Sequence, residues 1–310
     1  MLSRRNIRIK VMQMLYSMSR DPQLSFEDVL ERYREGIQTS YELYLFNMYH
    51  LLKITEYAKK DAERRKAKHL PSEEDKLFTA KLFDNELVQS IFGQITYKHL
   101  VQKYGFAEIV DIDNIRKFYI EFAKGDAYKK YVREASTNAE HKQILLQLYK
   151  FCTSDEFFNE LIEDTYANWV DDKSLVIGTV KKSIKALPAD FGFFRNYEPT
   201  AETTVDFGEE LIRQVCTRNE EFFELIEPTL KNWDADRVAV MDMILLKMAL
   251  CELLIFPTIP TKVTLNEFVE ISKLYSTEKS KDFINGILDR LMKKLNKEGK
   301  IKKEGRGLLE

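Results

Sequence analysis

The chain has 310 residues, 48 basic and 50 acidic side chains, a formal charge of −2, 44% apolar residues and 12% aromatics. That apolar fraction excludes a disordered or collagen-like chain, and the balanced charge excludes a histone-like polycation while leaving room for local basic patches. Eleven glycines and seven prolines, about half the usual ~12% share, argue against an all-β sandwich or barrel and for long helices with short connections.

In chain order, Ile7, Val11, Leu15 and Met18 recur at helical spacing and open the chain with an amphipathic helix. Tyr44–Leu52 and Leu82–Ile95 read as further helical runs, separated by a basic stretch (Lys59, Lys60, Arg64, Arg65, Lys66, Lys68) and a break over 69–76 around Pro71. Ala107–Ile112 reads as a helix end or connector. Residues 156–169 (EFFNELIEDTYANW) and 220–233 (EEFFELIEPTLKNW) are identical at nine of fourteen positions, 64 residues apart, with Trp169 and Trp233 in register. A duplicated helix–turn–helix unit is expected, too short a repeat for a solenoid. Between the copies, 188–206 carries Pro188, Gly192 and Pro199 and is the clearest linker. Met241, Ile244, Leu245 and Met248 define the next helix, bounded by Pro257 and Pro260. Thr264 and Glu267 have capping-box spacing ahead of Phe268 and Val269. Ser280 is placed to cap a last helix carrying Ile284, Ile287, Leu288, Leu291 and Leu295. A basic tail follows, from Lys293 to Arg306.

The chemistry of a catalyst is hard to find. No Gly-rich phosphate loop, GxSxG elbow or HExxH is present, and His50, His69, His99 and His141 are scattered. Cys152, Cys216 and Cys251 have no close pair, so neither a disulfide framework nor a zinc knuckle is expected, and a reducing compartment is the natural setting. Met243–Phe256 is too short and too interrupted by charge to span a bilayer, and the N-terminus lacks a signal-peptide core. A cytoplasmic chain with no membrane contact, metal or cofactor is expected. The basic opening is more telling. Arg4, Arg5 and Arg8 precede any acid, and Arg5 and Tyr16 lie three helical turns apart on one face. Guanidinium forks suit phosphate and a tyrosine ring suits a stacked base. The plain alternative is a buried helix with solvated arginines at its start, and the other basic stretches read equally well as solvated helix faces.

The opening RRNIRIKVMQMLYS resembles the first helix of the NusB transcription antitermination family. IPTKVTLNEFVEISKLYSTEKSKDFINGILDRL resembles the family's C-terminal pattern through Pro260, Lys262, Val263, Asn266, Glu267, Glu270, Lys273, Phe283, Asn285, Gly286, Leu288 and Asp289. The resemblance covers about residues 1–22 and 206–295. It implies an all-α fold of NusB-like helical bundles: 1–22 as the first helix with the RNA-binding N-terminus, 23–205 as an inserted helical domain containing the eroded repeat, 206–295 as the NusB core, and 296–310 as a basic tail. It also implies a non-enzymatic RNA-binding factor. Such a factor acts with NusE, a small-subunit ribosomal protein, in the transcription elongation complex on the single-stranded boxA element of rRNA leaders. The implied RNA-binding residues are Arg4, Arg5, Arg8, Tyr16, Lys279 and Phe283. At 279 many members carry an acid instead. The implied NusE-facing residue is Glu252, on the helix over Asp242–Leu254, where Cys251 replaces a usual tyrosine. Two other readings remain: a relative of the RNA-binding domain of an rRNA methyltransferase, although the Gly-rich site and catalytic cysteine pattern are absent, and a helical scaffold that has lost RNA binding.

Overall fold

The computed structural model describes residues 1–230 and 238–308. Among them there is no strand, so the fold is all-α as expected. The helices are α1 (Arg4–Arg20), α2 (Phe26–Lys66), α3 (Glu73–Leu77), α4 (Lys81–Asp84), α5 (Glu86–Phe92), α6 (Ile95–Lys103), α7 (Phe106–Ile109), α8 (Ile112–Ala123) and α9 (Asp126–Arg133). They continue with α10 (Asn138–Ser154), α11 (Glu156–Thr165), α12 (Trp169–Ala186), α13 (Ala201–Thr203), α14 (Glu210–Thr217), α15 (Asn219–Ile226), α16 (Val240–Ile255), α17 (Thr261–Tyr275) and α18 (Ser280–Lys297).

The chain divides into two compact units. One, the terminal unit, is Leu2–Ile37 with Pro199–Glu310; the other, the inserted unit, is Gln38–Glu198 with Met1. These divisions stand beside the sequence boundaries at 22/23 and 205/206. The early one lies inside α2, a single 41-residue helix.

In the terminal unit α16 is the central helix. Apart from Asp242, Lys247 and Glu252 it is apolar on all sides, and Leu245, Leu246, Met248, Ala249, Leu250 and Leu253 are buried against α1, α14, α15, α17 and α18. The periodic residues of α1 (Ile7, Val11, Leu15) and of α18 (Ile284, Ile287, Leu288, Leu291, Leu295) all face this core. Two expected caps are used otherwise. Pro260 takes the N-cap of α17, so Thr264 lies a turn inside the helix and its hydroxyl donates to Glu252 at 2.6 Å. Lys279 is the N-cap of α18, and the Ser280 hydroxyl donates to the buried Asp242 carboxylate at 2.7 Å. Ser276 donates to the same carboxylate at 2.5 Å, which ties the α17–α18 turn to the start of α16. The tail is docked as well: Lys303 donates to the carbonyls of Glu252 and Phe256, and burial brings its pKa down to about 8.

In the inserted unit the second part of α2 is buried almost continuously from Leu43 to Leu52. Around it pack Phe118 and Tyr119 of α8, Leu148 and Tyr149 of α10, Phe158 and Ile162 of α11, and Val176, Val180 and Ile184 of α12. Buried hydroxyls are paired: Tyr44 with Ser183 at 2.8 Å and Tyr149 with Asn47 at 3.0 Å. The stretch 188–206, expected as a linker, instead contributes Phe193, Phe194 and Tyr197 to this core, and Tyr41 donates to the Phe194 carbonyl at 3.2 Å. Pro and Gly shaped a connection there, but its aromatics had to be buried. The first copy runs from α11 into α12, and the second begins with α15 and precedes α16, with 231–237 outside the described residues. Register positions of the two copies match in burial, Phe158 with Phe222 and Ile162 with Ile226. Trp169 is buried and begins α12, whereas Trp233 lies outside the described residues.

Candidate nucleic-acid interface

The Ser3–Asn6 capping box starts α1 at Arg4. Arg4, Arg5 and Arg8 therefore sit on its first two turns, where tertiary partners separate their roles. Arg4 reaches Glu202 at 3.4 Å and stays partly exposed. Arg5 makes a fork to Glu267 of α17, Nε to Oε2 at 2.8 Å and Nη2 to Oε1 at 2.7 Å. This pairing raises the Arg5 pKa further, yet half of the side chain remains exposed.

Arg8 is different. Its Nε and Nη2 each donate to Glu252 at 2.7 Å, and the two side chains are 2% and 0% exposed. The rings of Phe207 and Phe268 lie 5.3 and 5.8 Å from the guanidinium. Arg8 was expected to meet RNA and Glu252 to meet NusE, but each is buried against the other. The i/i+4 spacing of Arg4 and Arg8 gave no sign of a carboxylate 244 residues away.

Tyr16 is half-buried, with the Arg20 guanidinium 5.2 Å from its ring. It lies about 16 Å along α1 from Arg5. At the start of α18, Lys279 is exposed and Phe283, 9% exposed, lines an open groove with Asp282, Gly286, Ile287 and Arg290. Arg290 also donates to the Thr229 carbonyl at 3.1 Å.

The link between α1 and α18 runs across α17. Glu270 is paired with Lys273, and that hydrogen bond is the main cause of its lowered pKa. Arg5 and Lys281 act on the same carboxylate and lower it further. Arg5 of α1 reaches Glu267 of α17, and α18 follows α17 after a short turn, so both helix starts border α17; the exposed Lys281 and the groove-lining Arg290 join the residues named from the sequence. The signal for Lys281 was available as the Lys279–Ser280–Lys281 run ahead of Phe283. Arg290 carried none apart from its i+7 spacing from Phe283.

Burial pushes the Cys216 thiol up to about 11 and holds Cys152 and Cys251 above the ordinary range, which leaves them poor nucleophiles. Among the described residues no three His, Cys, Asp or Glu side chains group as a metal site, and no helix is long and apolar enough to cross a membrane.

A family model described as the NusB family matches residues 179–293, beginning inside α12. The chain is 43% identical over 107 residues to transcription antitermination protein NusB of Salinibacter ruber, spanning 34% of this chain and 67% of that protein. It is 37% identical over 105 residues to NusB of Chloroherpeton thalassium (34% and 50%), and 42% identical over 83 residues to NusB of Listeria monocytogenes serotype 4a (27% and 65%). The chain thus spans between half and two thirds of these relatives. No solved structure matches it.

Proposed function

The chain belongs to the NusB family, and from that premise we propose that it is a non-catalytic antitermination factor that binds single-stranded RNA. The target is of the boxA type in rRNA leaders, and the chain acts in the cytoplasm with NusE as part of the transcription elongation complex. The observation that carries the reading is the groove at the start of α18, where the exposed Lys279 and Arg290 flank Phe283, together with the half-exposed Arg5 fork on α1. Arg4, Arg5, Lys279 and Lys281 meet phosphates, and Phe283, with Tyr16 further along α1, offers a ring to unpaired bases. NusE meets α16 through side chains other than Glu252, whose carboxylate is spent on Arg8 and Thr264.

The test is RNA binding across a salt series. Replacing Arg4, Arg5 and Lys281 by glutamine is expected to flatten the salt dependence by about 0.7 in log–log slope per lost phosphate contact. Phe283→Ala is expected to lose about 1–3 kcal/mol of affinity, beyond whatever folding stability its packing contributes. An unchanged slope together with unchanged affinity would remove this face from RNA binding. A wild-type chain that binds no single-stranded RNA would leave the helical-scaffold reading.

A further inference from the structure

The inserted unit has a cationic cleft of its own, built by the end of α2, α3, and the α8–α9 corner. Two adjoining depressions share Arg65, Ala123 and Lys129. Their charged lining is five cations, Arg64, Arg65, Lys124, Lys129 and Arg133, against one acid, Asp61.

That acid is buried beneath the cations. The Asp61 side chain is 3% exposed and accepts from Arg64 Nη2 at 3.1 Å, Arg65 Nε at 2.8 Å and the Tyr119 hydroxyl at 3.3 Å. Asp75, also buried, accepts from Arg65 Nη1 at 3.3 Å and Lys68 Nζ at 2.9 Å. Two submerged carboxylates therefore orient three cations whose outer faces remain in solvent; the Arg64 side chain is 56% exposed. Arg65 is held further by the Phe78 ring, 4.2 Å from its guanidinium. On the opposite bank, Lys124 and Lys129 are exposed and meet only Glu121 and Asp126 from their own turns. Exposed pairs of that kind hold their partners weakly.

We propose that this cleft binds the phosphodiester backbone of single-stranded RNA, as a second contact beyond the terminal unit. The proposal rests on the RNA-binding reading given above. Oriented guanidinium forks match phosphate oxygens. Cations spread along two neighbouring depressions fit a chain with charge at every repeat. Leu77, 68% exposed, gives the second depression an apolar edge beside these cations, against which a base can lie. An acidic polypeptide would use the same cations, and a parallel measurement separates the two.

The test uses the full chain and a labelled oligouridylate of about thirty nucleotides, several binding-site lengths, with anisotropy read across a salt series. Arg64, Lys124 and Lys129 are replaced together by glutamine. All three are exposed, and an unchanged melting temperature verifies the fold. The expected result is a log–log salt slope smaller by about 2, from three contacts at about 0.7 each, with weaker binding at every salt concentration. An unchanged slope overturns the cleft. The Arg4, Arg5 and Lys281 variant runs in parallel. If only that variant weakens binding, the terminal face stands and the cleft falls; if only the cleft variant does, the reverse holds. A wild type that binds no RNA overturns both. A glutamate oligomer that loses affinity on the triple substitution while RNA does not would assign the cleft to an acidic protein and overturn the RNA proposal.

Discussion

At Glu252 both carboxylate oxygens face Arg8, and Oε1 also accepts from Thr264, so a fully buried charge has three hydrogen bonds and a partner. Such a pair contributes little net stability relative to apolar residues of the same volume, but breaking it from one side strands a charge in the core. Glu252→Gln is therefore expected to cost about 3–5 kcal/mol, whereas Arg8→Met with Glu252→Leu should cost much less. Thermal or urea denaturation of the two variants checks this; equal losses would mean that the pair is solvated. Arg5 makes the same fork to Glu267, which Arg8 Nη1 also approaches at 3.5 Å, but half of the Arg5 side chain stays in solvent, where pairing is weaker and can be exchanged for phosphate. Two arginines three positions apart thus have opposite fates, decided by how deeply the fold buries each.

Among the elements, the first part of α2 and the helical stretch over 201–217 approach each other closely. Thr204–Glu209 forms a π-helical turn, and the Tyr33 hydroxyl donates to the Thr204 carbonyl at 3.0 Å. Gly208 sits under that tyrosine: a Cβ there would lie 1.8 Å from Tyr33 Oη and 2.8 Å from Ile7 Cγ2. Gly208→Ala is expected to destabilise the chain by about 1–3 kcal/mol or more through overpacking. Tyr33→Phe in the same chain should recover only part of the loss, because the Tyr33 ring carbon would still be 2.7 Å away. A Gly208→Ala chain that melts like the wild type would show that α2 moves aside. The α17–α18 hairpin is fastened differently, by Ser276 and Ser280 on Asp242, so the groove of Phe283 inherits its position from the first turn of α16.

For the whole molecule, the inserted unit has a continuous core and is expected to fold alone. Residues 38–198 should show strong helical circular dichroism and one cooperative melt, and a broad, non-cooperative melt would show that this core depends on the rest of the chain. His50 makes the same fragment acid-sensitive. Its Nδ1 faces the Phe46 carbonyl at 3.0 Å and its ring lies edge-on to Phe46, and burial lowers its pKa to about 4. The unfolded chain binds a proton near 6.5 and the folded one only near 4, so stability is full above 6.5 and falls as the pH drops through that window. The loss amounts to about 3 kcal/mol. Denaturation midpoints between pH 7 and 4 read this directly, and His50→Gln should flatten the profile; an identical profile in the variant would clear His50 of the effect.

The sequence by itself determined which segments are helical and which faces they bury. Ile7, Val11 and Leu15, or Ile284, Ile287, Leu288 and Leu291, record a 3.6-residue period that any nearby core will enforce, and the family pattern over 260–291 is contiguous and local. It also carried the repeat, whose Phe158 and Phe222 occupy matching buried positions. The tertiary structure alone decided which charges stay on the surface. Arg8 and Glu252 are 244 residues apart, Arg5 and Glu267 are 262 apart, and periodicity says nothing about pairings at that range. The same holds for 188–206, where turn-forming residues announced a linker but Phe193, Phe194 and Tyr197 found a core to enter. Backbone preference acts over a few residues and can be read from them; ion pairing and burial depend on what the completed fold brings within a few ångströms.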